Sequence, residues 1–193
     1  LTAGNLVQVR HYDHVTGKMS ASARLESNDV IIVSGLHALS IPLLRELYDL
    51  KIFLDMDDGL RRAFKLRRDV AQRGREGDEV LKEIERRETD AQQFVRPQTA
   101  WADLVLSLQP IHRDAEMGGD APLRLRLRVR ARQWLYYEEL VRVLVGVCGL
   151  HVDVEEQGAD GSVALVIQGE VEREDIALAA RELLPQLNEL LDV

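Results

Sequence analysis

Three short runs of nearly continuous apolar residues are separated by stretches with helical periodicity: DVIIVSG (residues 29–35), LKIFLDMD (50–57) and ADLVLSL (102–108). A strand that is apolar throughout must be covered on both faces, and strands of this kind alternating with helices predict a parallel sheet with helices against it. Between the first two runs, SIPLLRELYDL reads as a short helix with Pro42 in its first turn, where a missing N–H costs nothing. A longer helix starts at Asp57 or Asp58, either of which can cap it, with Leu60, Ala63, Phe64 and Val70 on one face. A second runs from about 78 to 95 on Val80, Leu81, Ile84, Ala91 and Phe94, and Pro97 stops it. Three buried strands are few for such a sheet, so its open edge predicts a cover, most simply a second copy in a homodimer, or else a rearranged packing of residues 1–27.

The charge divides the 193 residues in two. The net charge is −8, and the whole excess lies after residue 113; the earlier part is neutral. HRDAEMGGDAP (112–122) reads as a linker, which predicts a domain over 1–110, a connection over 111–121 and a second domain over 122–193. In that second part LRLRLRVRAR alternates strictly, placing Leu123, Leu125, Leu127 and Val129 on one face and Arg124, Arg126, Arg128 and Arg130 on the other. A helix follows over 137–148, then a hairpin of HVDVEE and SVALVIQG, then a closing helix over 171–191 with Ile176, Ala180 and Leu183 inward. The order β-α-β-β-α predicts a small α+β domain with a ferredoxin-like half. Its arginine face lacks aromatics for stacking bases, and Asp153 with Glu155 on a neighbouring strand can pair with it, so ion pairs are expected there rather than nucleic acid.

No run of apolar residues is long enough to span a bilayer, and the single cysteine, Cys148, has no partner for an internal disulfide. These features fit a cytoplasmic protein. The five histidines show no metal-ligand spacing, and no metal site is expected.

RRDVAQRGR (67–75) crowds four arginines into nine residues of this acidic chain. On the helix from Asp57, Arg61, Lys65 and Arg68 share one face away from the apolar stripe, and Arg73 and Arg75 flank Gly74, where the helix breaks. Two readings stand. One is a solvated basic face balanced by Glu76, Asp78, Glu79 and Glu83; the other is a phosphate site, for which planar bidentate guanidinium is better suited than lysine.

Several ordered segments resemble the uridine kinase and phosphoribulokinase family of P-loop kinases. FLDMDDGLRRAFKL leads into RRDVAQRGR, and FVRPQTAWADLVLSL follows at a distance; YDHVTG (12–17) and IIVSGLHAL resemble the family's substrate segment and the strand that ends beside a histidine. The resemblance covers roughly residues 3–108. It implies ATP-dependent phosphorylation of a hydroxyl on a sugar phosphate or nucleoside, with ATP and Mg²⁺ as cofactors and a nucleotide or phosphorylated small molecule as partner. It also implies that Arg68, Arg73 and Arg75 clasp the phosphates and that Asp69 orients them, beside Lys65, while Tyr12, His14, Thr16 and His37 lie near the acceptor. The second part lies outside it.

The departures bear on activity. Nothing in the 193 residues matches GxxxxGK[ST], the loop whose N–H groups, lysine and hydroxyl hold Mg-ATP, and no catalytic residue is assigned. Ser34 stands where the family has an acidic residue before Gly35, and Asp13 where phosphoribulokinases have asparagine. The chain is therefore expected to be inactive by itself. It is read either as the later part of a longer phosphotransferase or as a kinase-derived binding and assembly module, its second part serving oligomerisation or regulation.

Overall fold

The computed structural model describes residues 7–10, 12–13, 16–19, 23–28, 30–111, 123–132, 137–157 and 162–183. Two compact units are present, Leu1–Ser34 with Gln186–Val193 and Gly35–Pro185. The smaller holds two antiparallel strand pairs, β1 (Val7–Val9) with β4 (Ala23–Leu25) and β2 (Tyr12–Asp13) with β3 (Lys18–Met19).

The larger unit begins with α1 (Pro42–Arg45), β5 (Ile52–Met56), α2 (Asp58–Ala71) and α3 (Gly77–Asp90). Asp57 is the cap of α2: its Oδ1 accepts from the N–H groups of Gly59 at 2.9 Å and Leu60 at 3.2 Å. Helices α2 and α3 pack against one another, and Leu60 on the first and Val80 and Ile84 on the second are buried. After Asp90 the helix widens to a π turn over Ala91–Val95 and tightens to a 3-10 stretch over Arg96–Trp101. Pro97 thus changes the pitch where the sequence predicts an end. The tightening carries Gln98 inward, where it is buried; its Oε1 accepts from the Leu39 N–H and its Nε2 donates to the carbonyls of Leu36 and Phe94, each at 2.9 Å.

β6 (Leu104–Pro110) pairs with β5 in parallel and with β7 (Leu125–Ala131) antiparallel. Helix α4 (Tyr137–Gly146), β8 (His151–Gln157), β9 (Ser162–Gln168) and α5 (Arg173–Leu183) complete the unit, and the five-stranded sheet has the order β5-β6-β7-β9-β8. This is a mixed α/β fold, with the two halves of the sequence sharing one sheet. The expected linker is outside the described residues apart from Ile111. Leu140 and Leu144 of α4 pack with Leu150, Val163 and Leu165 into a core that Ala179 of α5 joins. A second cluster, Leu39, Ala102 and Val105 with Tyr48 and Phe53, lies at the start of β5 and β6.

Three sequence expectations are corrected by these elements. Val30–Val33 form no strand: they run exposed, Ile32 at 86%, because no neighbouring strand among the described residues supplies ladder partners. Ile176 faces solvent and Ala179 the core, a shift of the helix face that a single apolar stripe does not fix. Finally, β9 separates β7 from β8, so the Arg128–Glu155 pair, 3.0 Å long, reaches across an intervening strand whose Ala164 and Val166 are buried on that face.

Gln98→Ala removes three hydrogen bonds at a buried position and leaves the Leu39 N–H without its acceptor. It should destabilise the protein by about 1–3 kcal/mol in denaturant unfolding, with the slope unchanged.

Candidate functional site

Asp69 on α2 organises the arginine cluster. Its side chain is 1% exposed, although every other member of RRDVAQRGR is part-buried or exposed apart from itself. Arg68 Nε donates to its Oδ1 at 2.8 Å, Arg73 Nη1 lies 3.2 Å from Oδ1, and Arg75 Nη1 lies 4.0 Å from Oδ2. Gly74, with φ +63°, turns the chain after α2 so that the Arg75 N–H donates to the Asp69 carbonyl at 3.0 Å. Asp69 therefore holds the cluster through main chain and side chain together. Its Oδ2 accepts no hydrogen bond among the described residues. The hydrogen bond from Arg68 holds its carboxyl below the ordinary carboxylate value, against burial, and the charges of Arg68, Arg73 and Lys65 add to this.

Charge decides what the cluster can do. One carboxylate faces three guanidinium groups, so the assembly keeps a positive surplus. A second network nearby is balanced: Arg61 contacts Asp58 at 3.0 Å and Glu88 at 2.9 Å, and Arg96 contacts the same two acids. Two acids answer two arginines there, which leaves little capacity for an outside anion. Against the burial that raises it, hydrogen bonds from Arg96 and Arg61 hold Asp58 below its ordinary value; the Arg61 hydrogen bond does the same for Glu88.

Beside the cluster is an open cleft of about 710 Å³ lined by Met56, Arg61, Phe64, Lys65, Arg67 and Arg68 among others. Met56 ends β5, so the cleft lies at the carboxyl end of a parallel strand, where open α/β sheets bind their ligands. Burial, and secondarily the Arg87 charge, push the Lys65 ammonium below its ordinary value. Phe64 and Met56 supply an apolar wall beside the cations, the mixture a nucleotide or phosphorylated ligand needs.

The structure brings Lys65, Arg68, Asp69, Arg73 and Arg75 together. Of the expected acceptor residues, Tyr12 and Thr16 belong to the β2–β3 hairpin of the smaller unit, and His37 is exposed in a turn of the larger one, its Nδ1 3.4 Å from Ser40 Oγ. His14 is outside the described residues. Asp13 has a definite task, because its carboxylate accepts from Thr16 Oγ1 at 2.7 Å and its carbonyl from the Gly17 N–H at 2.8 Å, which shapes that hairpin turn. Sequence reading missed the Asp58–Arg61–Glu88–Arg96 network. The i, i+3 spacing of Asp58 and Arg61 hints at it, but Arg96 arrives through the pitch change after Asp90, which no local pattern announces.

These features define an α/β domain with an arginine cluster on the helix that leaves the carboxyl end of its parallel strand β5. The chain belongs to the phosphoribulokinase / uridine kinase family, whose model matches residues 1–114. It is 32% identical over 110 residues to phosphoribulokinase of Synechocystis, covering 57% of this chain and 33% of that protein. To uridine kinase of Lactococcus lactis it is 36% identical over 108 residues, covering 55% and 52%. The chain thus spans about a third to a half of these relatives. The fold is that of phosphoribulokinase from Rhodobacter spheroides, with a TM-score of 0.66 at 19% identity over 95% of this chain and 66% of that one. Among the described residues no helix is long and apolar enough to cross a membrane.

Asp69→Asn should lower thermal stability in a pH-dependent way. The folded-state value is depressed, so the carboxylate's contribution is complete above about pH 4 and fades as acid titrates it through that lower value. Melting curves of wild type and variant should differ most near neutrality and converge in strong acid.

Proposed function

We propose that this chain supplies the phosphate lid and the acceptor-side segment of an ATP-dependent phosphotransferase acting on a hydroxyl of a sugar phosphate or nucleoside. The observation that carries this reading is the arginine cluster gathered on buried Asp69 with its charge only one-third compensated. A polyphosphate fits it. Arg68, Arg73 and Arg75 provide fixed donors for charge that spreads over a transferring phosphoryl group, and the carboxylate holds them in position before the ligand arrives, so little reorganisation is needed. Arg68, Lys65 and Arg67 face the cleft beside Phe64, which accommodates the rest of a nucleotide.

Mg²⁺ does not fit these residues in the same way: among the described residues no group of three or more acidic, histidine or cysteine side chains is placed to hold a metal. Tyr12, His14, Thr16 and His37 are proposed to line the acceptor side, on the strength of their match to the family's segments. The absence of GxxxxGK[ST] from the 193 residues supports dividing the labour, with the groups that hold the β-phosphate supplied from outside this stretch of sequence.

The proposed homo-oligomer draws its support from β5. This strand is paired on one edge only among the described residues, and Ile52 and Leu54 on it are exposed, Leu54 at 77%. Sedimentation at micromolar concentration should show a species larger than the monomer.

The purified 193-residue chain should bind tripolyphosphate or ATP weakly and transfer no phosphoryl group to uridine or ribulose 5-phosphate. Changing Arg68, Arg73 and Arg75 together to Ser should weaken tripolyphosphate binding by at least about tenfold, as loss of charge-assisted hydrogen bonds implies. Unaltered affinity in that variant would assign the cluster to solvation alone.

A further inference from the structure

A second cationic cavity lies at the other end of the parallel strands. It measures about 280 Å³ and is walled by Arg45, Glu46, Tyr48, Lys51, Trp101 and Arg132. Lys51 immediately precedes β5, Trp101 lies three residues before β6, and Arg132 follows β7, whose direction is reversed. The cavity therefore opens beyond the amino ends of β5 and β6, whereas the cleft beside Asp69 opens beyond the carboxyl end of β5.

Its two guanidinium groups are held in place without being neutralised. The Arg45 guanidinium stacks over the Trp101 ring, 3.9 Å from the centroid, and its Nη1 donates to the Leu39 carbonyl at 3.0 Å. Arg132 Nη2 donates to the Ala100 carbonyl. Both partners are neutral, and among the described residues neither guanidinium has a carboxylate at ion-pairing distance. Lys51 differs, since Asp103 Oδ2 lies 3.2 Å from its Nζ. Glu46 is the one acid on the cavity wall and is exposed. A guanidinium has five N–H donors, so one bond to a carbonyl leaves a fork edge available, already oriented, with the ring of Trp101 limiting its rotation.

We propose that this cavity is a binding site for a small phosphate-bearing anion, seated between Arg45 and Arg132 with Tyr48 and Trp101 packing against whatever the phosphate carries. The site is separate from the Asp69 cluster and does not rest on the reading given for it. Binding there would tie the α1 segment, the start of β6 and the end of β7 together, because the two arginines belong to distant parts of the chain.

Inorganic phosphate titrated into the full 193-residue chain, against chloride at equal ionic strength, tests the assignment by NMR of the arginine Nε–H and Trp101 indole signals. Saturable shifts are expected at Arg45, Arg132 and Trp101. Arg45→Gln and Arg132→Gln should each weaken phosphate by about tenfold, the scale of a charge-assisted hydrogen bond. Glu46→Gln, an exposed change that leaves the cavity contacts intact, should tighten it by about two- to threefold through relief of like-charge repulsion. The triple Ser variant at 68, 73 and 75 should leave these shifts in place. The proposal is overturned by the absence of saturable shifts at the three residues, by an affinity that none of the cavity variants moves, or by shifts that vanish in the triple Ser variant.

Discussion

Strand β6 is paired along both edges, in parallel with β5 and antiparallel with β7, and the larger unit depends on that double pairing. The parallel side fixes where β5 ends, and hence where Asp57 starts α2 and where the arginines of its last turns are placed. The antiparallel side brings the acidic second half of the sequence into the same sheet and sets its core of Leu140, Leu144 and Leu165 alongside. Side-chain bonds reinforce the pairing. Asp55 and Ser107 face each other in register and are linked at 3.1 Å, and Asp103 accepts from the Lys51 N–H at 2.9 Å just before both strands begin.

The cleft and the cavity at opposite ends of these strands use arginine differently. At Asp69 a buried carboxylate assembles three guanidinium groups and cancels part of their charge. At Trp101 and Arg132 aromatic and carbonyl partners fix the groups and cancel none. The first arrangement preorganises donors while moderating their mutual repulsion; the second leaves them fully charged but farther apart in the chain. The balanced Asp58–Arg61–Glu88–Arg96 network is a third use, in which opposite charges join α2 to α3 and to the segment beyond it.

Local signals in the sequence were strong where the structure is locally determined. The Asp57 cap, the Gly74 turn, the hairpin of β8 and β9 and the alternation in β7 each depend on a few consecutive residues, and all are present, whereas on the expected face of α2 Leu60 is buried but Phe64 and Val70 are exposed. The gathering of Arg68, Arg73 and Arg75 on Asp69 comes from the family resemblance rather than from spacing, although the structure builds it with an i, i+4 pair and one glycine. Legibility failed where a residue's state depends on distant chain. Val30–Val33 have strand composition, but a strand exists only with a neighbour, and β-branched residues cannot supply one. The pairing of β6 with β7 crosses the very segment whose polar composition reads as a domain boundary. Gln98 and Arg96 reach their partners through a change of helical pitch, and a cavity shared by Arg45, Trp101 and Arg132 has no sequence spacing to betray it.

The mixed pairing of β6 also joins contacts of very different loop length. Its antiparallel neighbour follows closely in the chain, and β8 and β9 form a tight hairpin, so these contacts close short loops. The parallel partner β5 lies on the far side of α2 and α3, and joining it requires a much longer loop to close. Loop closure therefore favours the β6–β7 and β8–β9 pairs first, with the β7–β9 and β5–β6 pairings later. The arginine cluster is carried on the helix that leaves β5, so local opening of β5 and α2 would release its guanidinium groups while the rest of the sheet stays formed.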